Sequence, residues 1–341
     1  MMVTITIKDV AALAGVSVAT TSRVLSGNPA TSADARSRVQ AAVAELDYRP
    51  NAQARALRST RTHSIGLLVP DVRNPFFADL AHTVEQAALV HGFVTLLGNA
   101  NERKDQQDRY LDNLIARRVD GIIVAPLGDG SGSIRSVVGR EIPAVFIDRT
   151  IEGIDLPSVT TDSDTGIREA VDHLAALGHT RIGYIAGPQS TSTGRERHAS
   201  FVRAAGDRDL SLDPALIVFG DFQPESGSAA VRTLLALNEP PTALLVADSP
   251  MAFGAIGAIQ KLGLRIGTDV ALVSFDDIDW LALLDPPVSV VAHSVADMGR
   301  IAVDMLRTVI DGGTPESVRL PSRLIVRGSS ATPVDPARLG A

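Results

Sequence analysis

The sequence predicts a small all-α helix-turn-helix head joined to an α/β body of two doubly wound parallel-sheet lobes. Three observations predict it. Short capped amphipathic helices fill the first fifty residues, β-branched runs alternate with helical stretches from Ser64 onward, and charge is divided unevenly between the two parts. A chain of 341 residues suits two or three domains with ample surface to bury. Hydrophobic residues make up 45% and charged residues 21%, which excludes disordered and collagen-like classes. The chain has no cysteine, so disulfide frameworks, thiolate zinc sites and cysteine nucleophiles are all excluded. The opening Met1 to Val10 lacks a signal-peptide pattern, and no later run approaches ~18 apolar residues. The expectation is a cytoplasmic protein with no membrane partner and no cofactor.

The net charge of −7 hides an asymmetry. Residues 1–62 hold eight basic against four acidic side chains, a surplus of +4 that leaves −11 on the remainder. A local basic surface is what attraction to phosphate requires, because screening confines it to ~10 Å. Within this head, Thr6 and Asp9 form a capping-box-like start, Val10, Leu13 and Ala14 follow at helical spacing, and Gly15 supplies a stop. Ser17 caps a second helix, Val18 to Leu25, and a third opens at Thr31 or Ser32, its stripe Val39, Ala42, Val43 and Leu46 covering the pair. Two short helices joined by Ala14-Gly15-Val16-Ser17 make a helix-turn-helix, whose second helix places its N-terminal residues at base edges in the major groove. Arg23 has the fork for guanine, Val18 and Ala19 meet methyls, and Ser17, Thr20 and Ser22 suit phosphate oxygens. After Pro50, residues 51–58 are alanine-rich and too short to hold a helix alone.

The body reads as strands at Ile65–Val69, Val94–Leu97, Gly121–Val124, Ala144–Ile147, Arg181–Ile185, Ala243–Val246 and Ala271–Ser274, separated by helices. These are too many for one ordinary sheet. Two lobes are expected, the first ending near Thr161 and the second starting at Asp162, with late strands crossing back near His293 and Pro321. Ligands of such sheets bind at strand C-termini. Polar groups follow those termini: Asp71 and Asn74-Pro-Phe-Phe77, then Asp148-Arg149, Thr191 to Arg197, Asp248 and Asp276. Enzyme motifs are missing. Lys8, Lys104 and Lys261 are followed by Asp, Asp and Leu, so there is no Walker A loop, and neither a Gly-x-Ser-x-Gly elbow nor a His-Glu-x-x-His pair occurs. Gly128-Asp-Gly-Ser-Gly132 reads as a loop, and His173 and His179 as structural residues at a helix end.

The strings Thr6-Ile-Lys-Asp-Val-Ala, Ala14-Gly-Val-Ser, Ser22-Arg-Val-Leu, Tyr48-Arg-Pro-Asn-Ala-Gln-Ala-Arg-Ala-Leu57, Ile65-Gly-Leu-Leu-Val-Pro and Asn74-Pro-Phe-Phe resemble the lactose/galactose-repressor family of bacterial transcription regulators. The resemblance runs in register from about Thr4 to Arg327. It implies a helix-turn-helix DNA-binding domain at 1–50, a hinge helix at 51–60, and a periplasmic-binding-protein-like effector-binding and dimerisation domain at 61–341. Its first lobe takes in about 61–161 and 293–320, its second about 162–292 and 321–330. It further implies DNA contacts from Thr6, Ser17, Val18, Ala19, Thr20, Ser22 and Arg23, and from the hinge residues Asn51, Ala54, Arg55, Leu57 and Arg58, with Leu57 matching a leucine wedged between base steps. Asp71, Phe76, Phe77, Asp148, Arg149, Thr191, Thr193, Arg197, Phe222, Asp248 and Asp276 match positions lining the effector pocket; for Asp71 and Thr193 a loop or capping role stays open.

Two departures from the family pattern matter. Thr21 replaces an apolar residue, so its hydroxyl needs a backbone partner if it packs inward, and Asp248-Ser249 replaces the usual Asn-Asp pair. The resulting expectation is a homodimeric repressor of a near-palindromic DNA operator under small-molecule control. Paired carboxylates, arginine and aromatic rings point to a sugar or sugar derivative as effector. A nucleobase or nucleoside uses the same groups, and a ligand-binding protein that ignores DNA is the rival from another class. The tail after Arg327, with Pro333 and Pro336, has no leucine heptad to join two dimers.

Overall fold

The computed structural model describes residues 5–25, 29–48, 61–128 and 132–330. The hinge residues Asn51, Ala54, Arg55, Leu57 and Arg58 therefore lie outside the described residues. The chain divides into two units, Met1–Thr62 and His63–Ala341.

In the first unit, α1 (Ile7–Ala14), α2 (Val18–Leu25) and α3 (Ala33–Glu45) enclose Val10, Ala14, Val24, Val39 and Ala42. The Asp9 carboxylate accepts from both the backbone N–H and the hydroxyl of Thr6, at 2.7 and 2.8 Å, which fixes the start of α1 and holds the carboxyl below its ordinary pKa. Gly15 ends the helix at φ 62°, where its N–H closes back on Ala11 and Ala12. Leu13 is 47% exposed, so the apolar stripe of α1 is narrower than its spacing predicts. Thr21 does pack inward, and its hydroxyl donates to the Ser17 carbonyl at 3.1 Å, the partner that burial demands. Ser32 rather than Thr31 caps α3, accepting from the Ala35 N–H at 3.2 Å.

The second unit contains two six-stranded sheets of matching order. In the first, β11-β5-β4-β3-β1-β2, the strands are β1 (Ser64–Val69), β2 (Val94–Asn99), β3 (Gly121–Val124), β4 (Ala144–Ile147), β5 (Ser158–Asp162) and β11 (Val318–Pro321). In the second, β12-β10-β9-β8-β6-β7, they are β6 (Ile182–Ala186), β7 (Ile217–Phe219), β8 (Ala243–Val246), β9 (Ala271–Phe275), β10 (Ser289–Ala292) and β12 (Arg323–Ile325). All pairings are parallel except β10 with β12. Central strands such as β3, β4, β6, β8 and β9 are buried along their whole length, as strands covered by helices on both faces must be. The helices are α4 (Pro75–Val90), α5 (Lys104–Ala116), α6 (Gly132–Gly139), α7 (Ser163–Ala176), α8 (Ser192–Asp207), α9 (Pro224–Leu235), α10 (Ser249–Lys261), the short α11 (Asp279–Ala282) and α12 (Val295–Ile310).

The chain passes between lobes three times: from β5 into α7, from β10 into α12, and from β11 into β12. Ser322, on the third passage, accepts from the Gly166 N–H at 3.1 Å and donates to the Asp162 carbonyl, tying it to the first. Such short, stitched crossings bring the C-terminal ends of both sheets to one cleft.

Candidate functional site

On the head, Ser17, Ala19 and Arg23 are exposed along α2, while Val18, Thr20 and Ser22 are half-buried. Ser17 serves the helix first: its Oγ accepts from the Thr20 N–H at 3.1 Å and lies 2.9 Å from the Thr20 hydroxyl. These two hydroxyls therefore offer DNA only the capacity left over from capping. Arg23 is the cation on this face, its Nε 3.4 Å from the Ala19 carbonyl.

In the cleft the first lobe brings Phe76 and Phe77 on the opening turn of α4, where Asn74 caps the helix through the Phe76 N–H at 3.0 Å, and Asp148 and Arg149 after β4. The second lobe brings Thr193 and Arg197 on α8, Phe222 after β7, Asp248 after β8 and Asp276 after β9. Nine of the eleven sequence-assigned pocket residues thus line one cluster, in which the remaining space is about 10 Å³, room for one water at most. The other two are placed differently. The Thr191 hydroxyl caps α8, accepting from the Gly194 N–H and donating to the Pro188 carbonyl, each at 3.0 Å. Asp71 is held by Arg73 at 2.7 Å and faces an adjoining cavity of about 210 Å³ with Glu102, Phe222 and Glu225.

Asp148, Phe222 and Asp276 adopt left-handed φ values of 61°, 63° and 71°. Such backbone is uncommon outside glycine and clusters where function demands it. Arg149 is buried between aromatic rings, its guanidinium carbon 5.5 Å from the Phe77 centroid and 5.1 Å from that of Phe222. It makes a two-pronged pair with Glu102 at 2.9 and 3.1 Å, so although burial opposes its charge, Glu102 and Asp148 raise its pKa further. Arg197 donates to the Ala247 carbonyl at 2.7 Å, and its guanidinium carbon lies over the Phe275 ring, 3.6 Å from the centroid.

Buried polar atoms without a partner collect here: Asp148 Oδ1, Arg149 Nε, Arg197 Nε, Asp248 Oδ2, Ser249 Oγ, Asp276 Oδ1 and both ring nitrogens of His293. Burial pushes the Asp148 carboxyl up against the pull of Arg197 and Arg149, and pushes Asp276 up to about 6 and Asp248 up to about 8. Burial likewise drives His293 down to about 3, leaving a neutral imidazole near Phe76 and Phe275. Native interiors leave few polar groups unsatisfied, and such a concentration marks a place built for a ligand's hydrogen bonds. Sequence reasoning missed Glu102, Ser249 and His293. Glu102 sits in a left-handed loop after edge strand β2 and His293 at a lobe crossing, positions that no periodicity reveals.

His173 and His179 bond to Ser330 and Thr242 at 2.9 and 2.8 Å. Among the described residues no cluster of three metal-ligating side chains occurs, and no helix is long and apolar enough to cross a membrane.

Known proteins share this architecture. Residues 6–51 match the family described as bacterial regulatory proteins, lacI family, and residues 171–330 a periplasmic binding protein-like domain. The HTH-type transcriptional repressor CytR of Escherichia coli (strain K12) is 33% identical over 330 residues, covering 95% of this chain and 96% of its own. Among solved structures, the lac repressor dimer bound to operator and an anti-inducer superposes with a TM-score of 0.85 at 30% identity, covering 96% of this chain and 99% of that one. The transcriptional regulator CelR in complex with cellobiose gives 0.73 at 31% identity, covering 95% and 99%. With a head of this kind on two lobes of this order, and similarity along nearly the whole length, the chain belongs to the lacI family of bacterial regulatory proteins and is a transcriptional regulator of that type.

Proposed function

We propose that this regulator binds a near-palindromic operator as a homodimer, and that an uncharged polyhydroxylated ring, a sugar or close derivative, controls it from the interlobe cleft. The observation that carries the effector reading is the set of partnerless polar atoms. Two carboxylate oxygens, on Asp148 and Asp276, seek donors, two guanidinium N–H groups, on Arg149 and Arg197, seek acceptors, and Asp248 Oδ2 lies buried without a partner beside them. A sugar hydroxyl donates and accepts at once, so one ring with several hydroxyls satisfies both sets, while Phe76, Phe77 and Phe222 cover its apolar faces. Even without Asp248, the acidic groups Asp148, Asp276 and Glu102 outnumber the two arginines, which disfavours an anionic ligand. The similar regulator CelR, whose structure is a complex with cellobiose, supports the same class. One observation favours a nucleoside instead: Phe77 and Phe222 flank the planar guanidinium of Arg149, and a base suits such a slot.

On the head, Arg23 reads guanine and Val18 and Ala19 meet neighbouring bases, with Thr6, Ser17, Thr20 and Ser22 on phosphates. The hinge residues Asn51, Ala54, Arg55 and Arg58 follow the minor groove, and Leu57 wedges between base steps. Closing the cleft joins groups from both lobes, so a ligand that binds only the closed arrangement shifts the population toward it. The first lobe begins directly after the hinge and passes that shift on. The protein itself performs no catalysis in this reading. The test is a thermal-shift screen of free monosaccharides, sugar phosphates and nucleosides, followed by operator binding with each hit. Stabilisation by a sugar that also changes operator affinity supports the reading, and stabilisation by sugar phosphates alone contradicts it.

A further inference from the structure

The surroundings of Asp248 are those of an amide rather than of a carboxylate. Its Oδ1 accepts from the Met251 N–H at 2.9 Å and so caps α10, as an asparagine carbonyl does. Its Oδ2 is sealed from solvent with no partner. The ion pairs made within the cluster belong to Arg149, with Glu102 and Asp148. Arg197, whose charge also reaches Asp248, is committed to the Ala247 carbonyl and the Phe275 ring. A carboxylate packed in this way beside Asp276, without an ion pair, is poorly compensated.

We propose that Asp248 works as a neutral carboxylic acid, an amide surrogate whose Oδ2–H donates to an acceptor oxygen of the effector. The groups facing it are Asp276 from the end of β9, Arg197 from α8, Arg149 from the segment after β4, Glu102 from the loop after β2 and the Tyr184 hydroxyl from β6. Burial dominates and holds the carboxyl protonated up to about pH 8, Asp276 and Glu102 acting with it and the Met251 N–H and Arg197 against it. The pattern of a carboxylic acid kept neutral in a dry site so that it can donate is established in enzyme chemistry. Below its titration Asp248 is a donor that discriminates in favour of ligands with an acceptor at that point. Above it the donor is lost and a second negative charge stands beside Asp276.

The sign for stability follows. The folded state keeps a proton that the unfolded chain releases near pH 4, so this residue lowers stability as pH rises from about 4 to about 8, by up to tenfold in the folding equilibrium per pH unit, and adds nothing further above. Asp248→Asn removes that dependence and keeps both the cap and a donor.

The proposal takes its ligand from the effector reading, but the protonation is measured in ligand-free, full-length protein. Urea unfolding of wild type, Asp248→Asn and Asp276→Asn is followed from pH 5 to 9, together with carbon-13 titration of aspartate-labelled wild type. The advantage of Asp248→Asn over wild type grows with pH up to about 8 and then levels, and one carboxyl carbon of wild type titrates near 8; for Asp276→Asn the growth ends nearer 6. A pH-independent difference for Asp248→Asn, or carboxyl carbons that all finish titrating below pH 7, overturns the proposal and leaves the effector reading standing. The carbon titration decides even if Asp248→Asn does not fold. Failure of every sugar and nucleoside to bind, with that titration present, removes the effector and with it the donor role, leaving only a buried neutral acid.

Discussion

Gly254→Ala is expected to weaken the second lobe and loosen the cleft through one backbone contact. The helices α9 and α10 cross so closely that a Cβ on Gly254 falls within the radius of the Pro224 carbonyl oxygen, and one on Gly227 within that of the Met251 carbonyl. Backbone cannot rotate out of the way as a side chain does, so the helices must separate by roughly 1.5 Å to relieve the overlap, and the cost lies at the upper end of the ~1–3 kcal/mol typical of overpacking. Replacing a helical glycine returns about 1 kcal/mol in helix propensity, leaving a net loss of about 2 kcal/mol. In a unit of this size that lowers the melting midpoint by roughly 4–8 °C. The separation also reaches the cleft, because Pro224 follows Phe222 by two residues and the Met251 N–H is the group held by Asp248. Urea unfolding of Gly254→Ala, Gly227→Ala and the double variant measures the effect. Once one Cβ has pushed the helices apart the second meets less resistance, so the double variant should cost clearly less than the sum. A wild-type midpoint in Gly254→Ala, or strict additivity of the pair, would refute the account.

Arg197→Ala or Asp276→Ala should abolish the response of operator binding to effector while leaving effector-free operator affinity near wild type; calorimetry showing undiminished ligand affinity in both variants removes them from the site. Arg23→Ala should cost about 1–3 kcal/mol of operator affinity and relax preference at one base pair per half-site, measured at one fixed salt concentration because phosphate contacts are salt-sensitive. Leu57→Ala should weaken operator binding and straighten the bound DNA, and an unchanged bend angle defeats the wedge assignment. Thr21→Val should be neutral or stabilising by up to about 1 kcal/mol, since the Ser17 carbonyl keeps the Thr21 N–H at 2.9 Å; a loss above that in calorimetry contradicts it.

Six of the seven legible strands are buried apolar runs such as Ile122, Ile123 and Val124, which have no other economical home, while the edge strand Val94–Asn99 was legible although it is mostly open to solvent. The strands that escaped a strand-by-strand reading are edge or crossing elements: Ile217–Phe219 is three residues long and half open to solvent, and Ser158–Asp162 is a polar run that ends at the first lobe crossing. Their pairing is decided by the partners that the tertiary fold supplies, which one strand's composition does not encode. In the cleft, residues following central strands were legible by the same topological rule. The partnership of Arg149 with Glu102 spans 47 residues between two loops, and no local pattern announces it.

The interlobe cluster has an internal symmetry that bears on the proposed effector control. Strands β4 and β9 occupy the same place in their sheets, each followed by a left-handed aspartate whose N–H bonds across to the next strand, Asp148 to Val159 at 2.8 Å and Asp276 to Val291 at 3.0 Å. Two equivalent lobes hinged face to face therefore present two equivalent carboxylates to each other, and Asp148 and Asp276 each push the other's charge out of favour. Asp248 adds a third acid from the second lobe. Closing the lobes is opposed by this repulsion and by the loss of water from both arginines. In the proposed reading, a ligand that gives hydrogen bonds to Asp148 and Asp276 and accepts them from the arginines and from Asp248 offsets both costs, and it does so only where the two lobes close on it. That difference in affinity between open and closed is the thermodynamic requirement for an effector to move a population, so in the proposed reading the duplicated topology supplies both the site and its coupling.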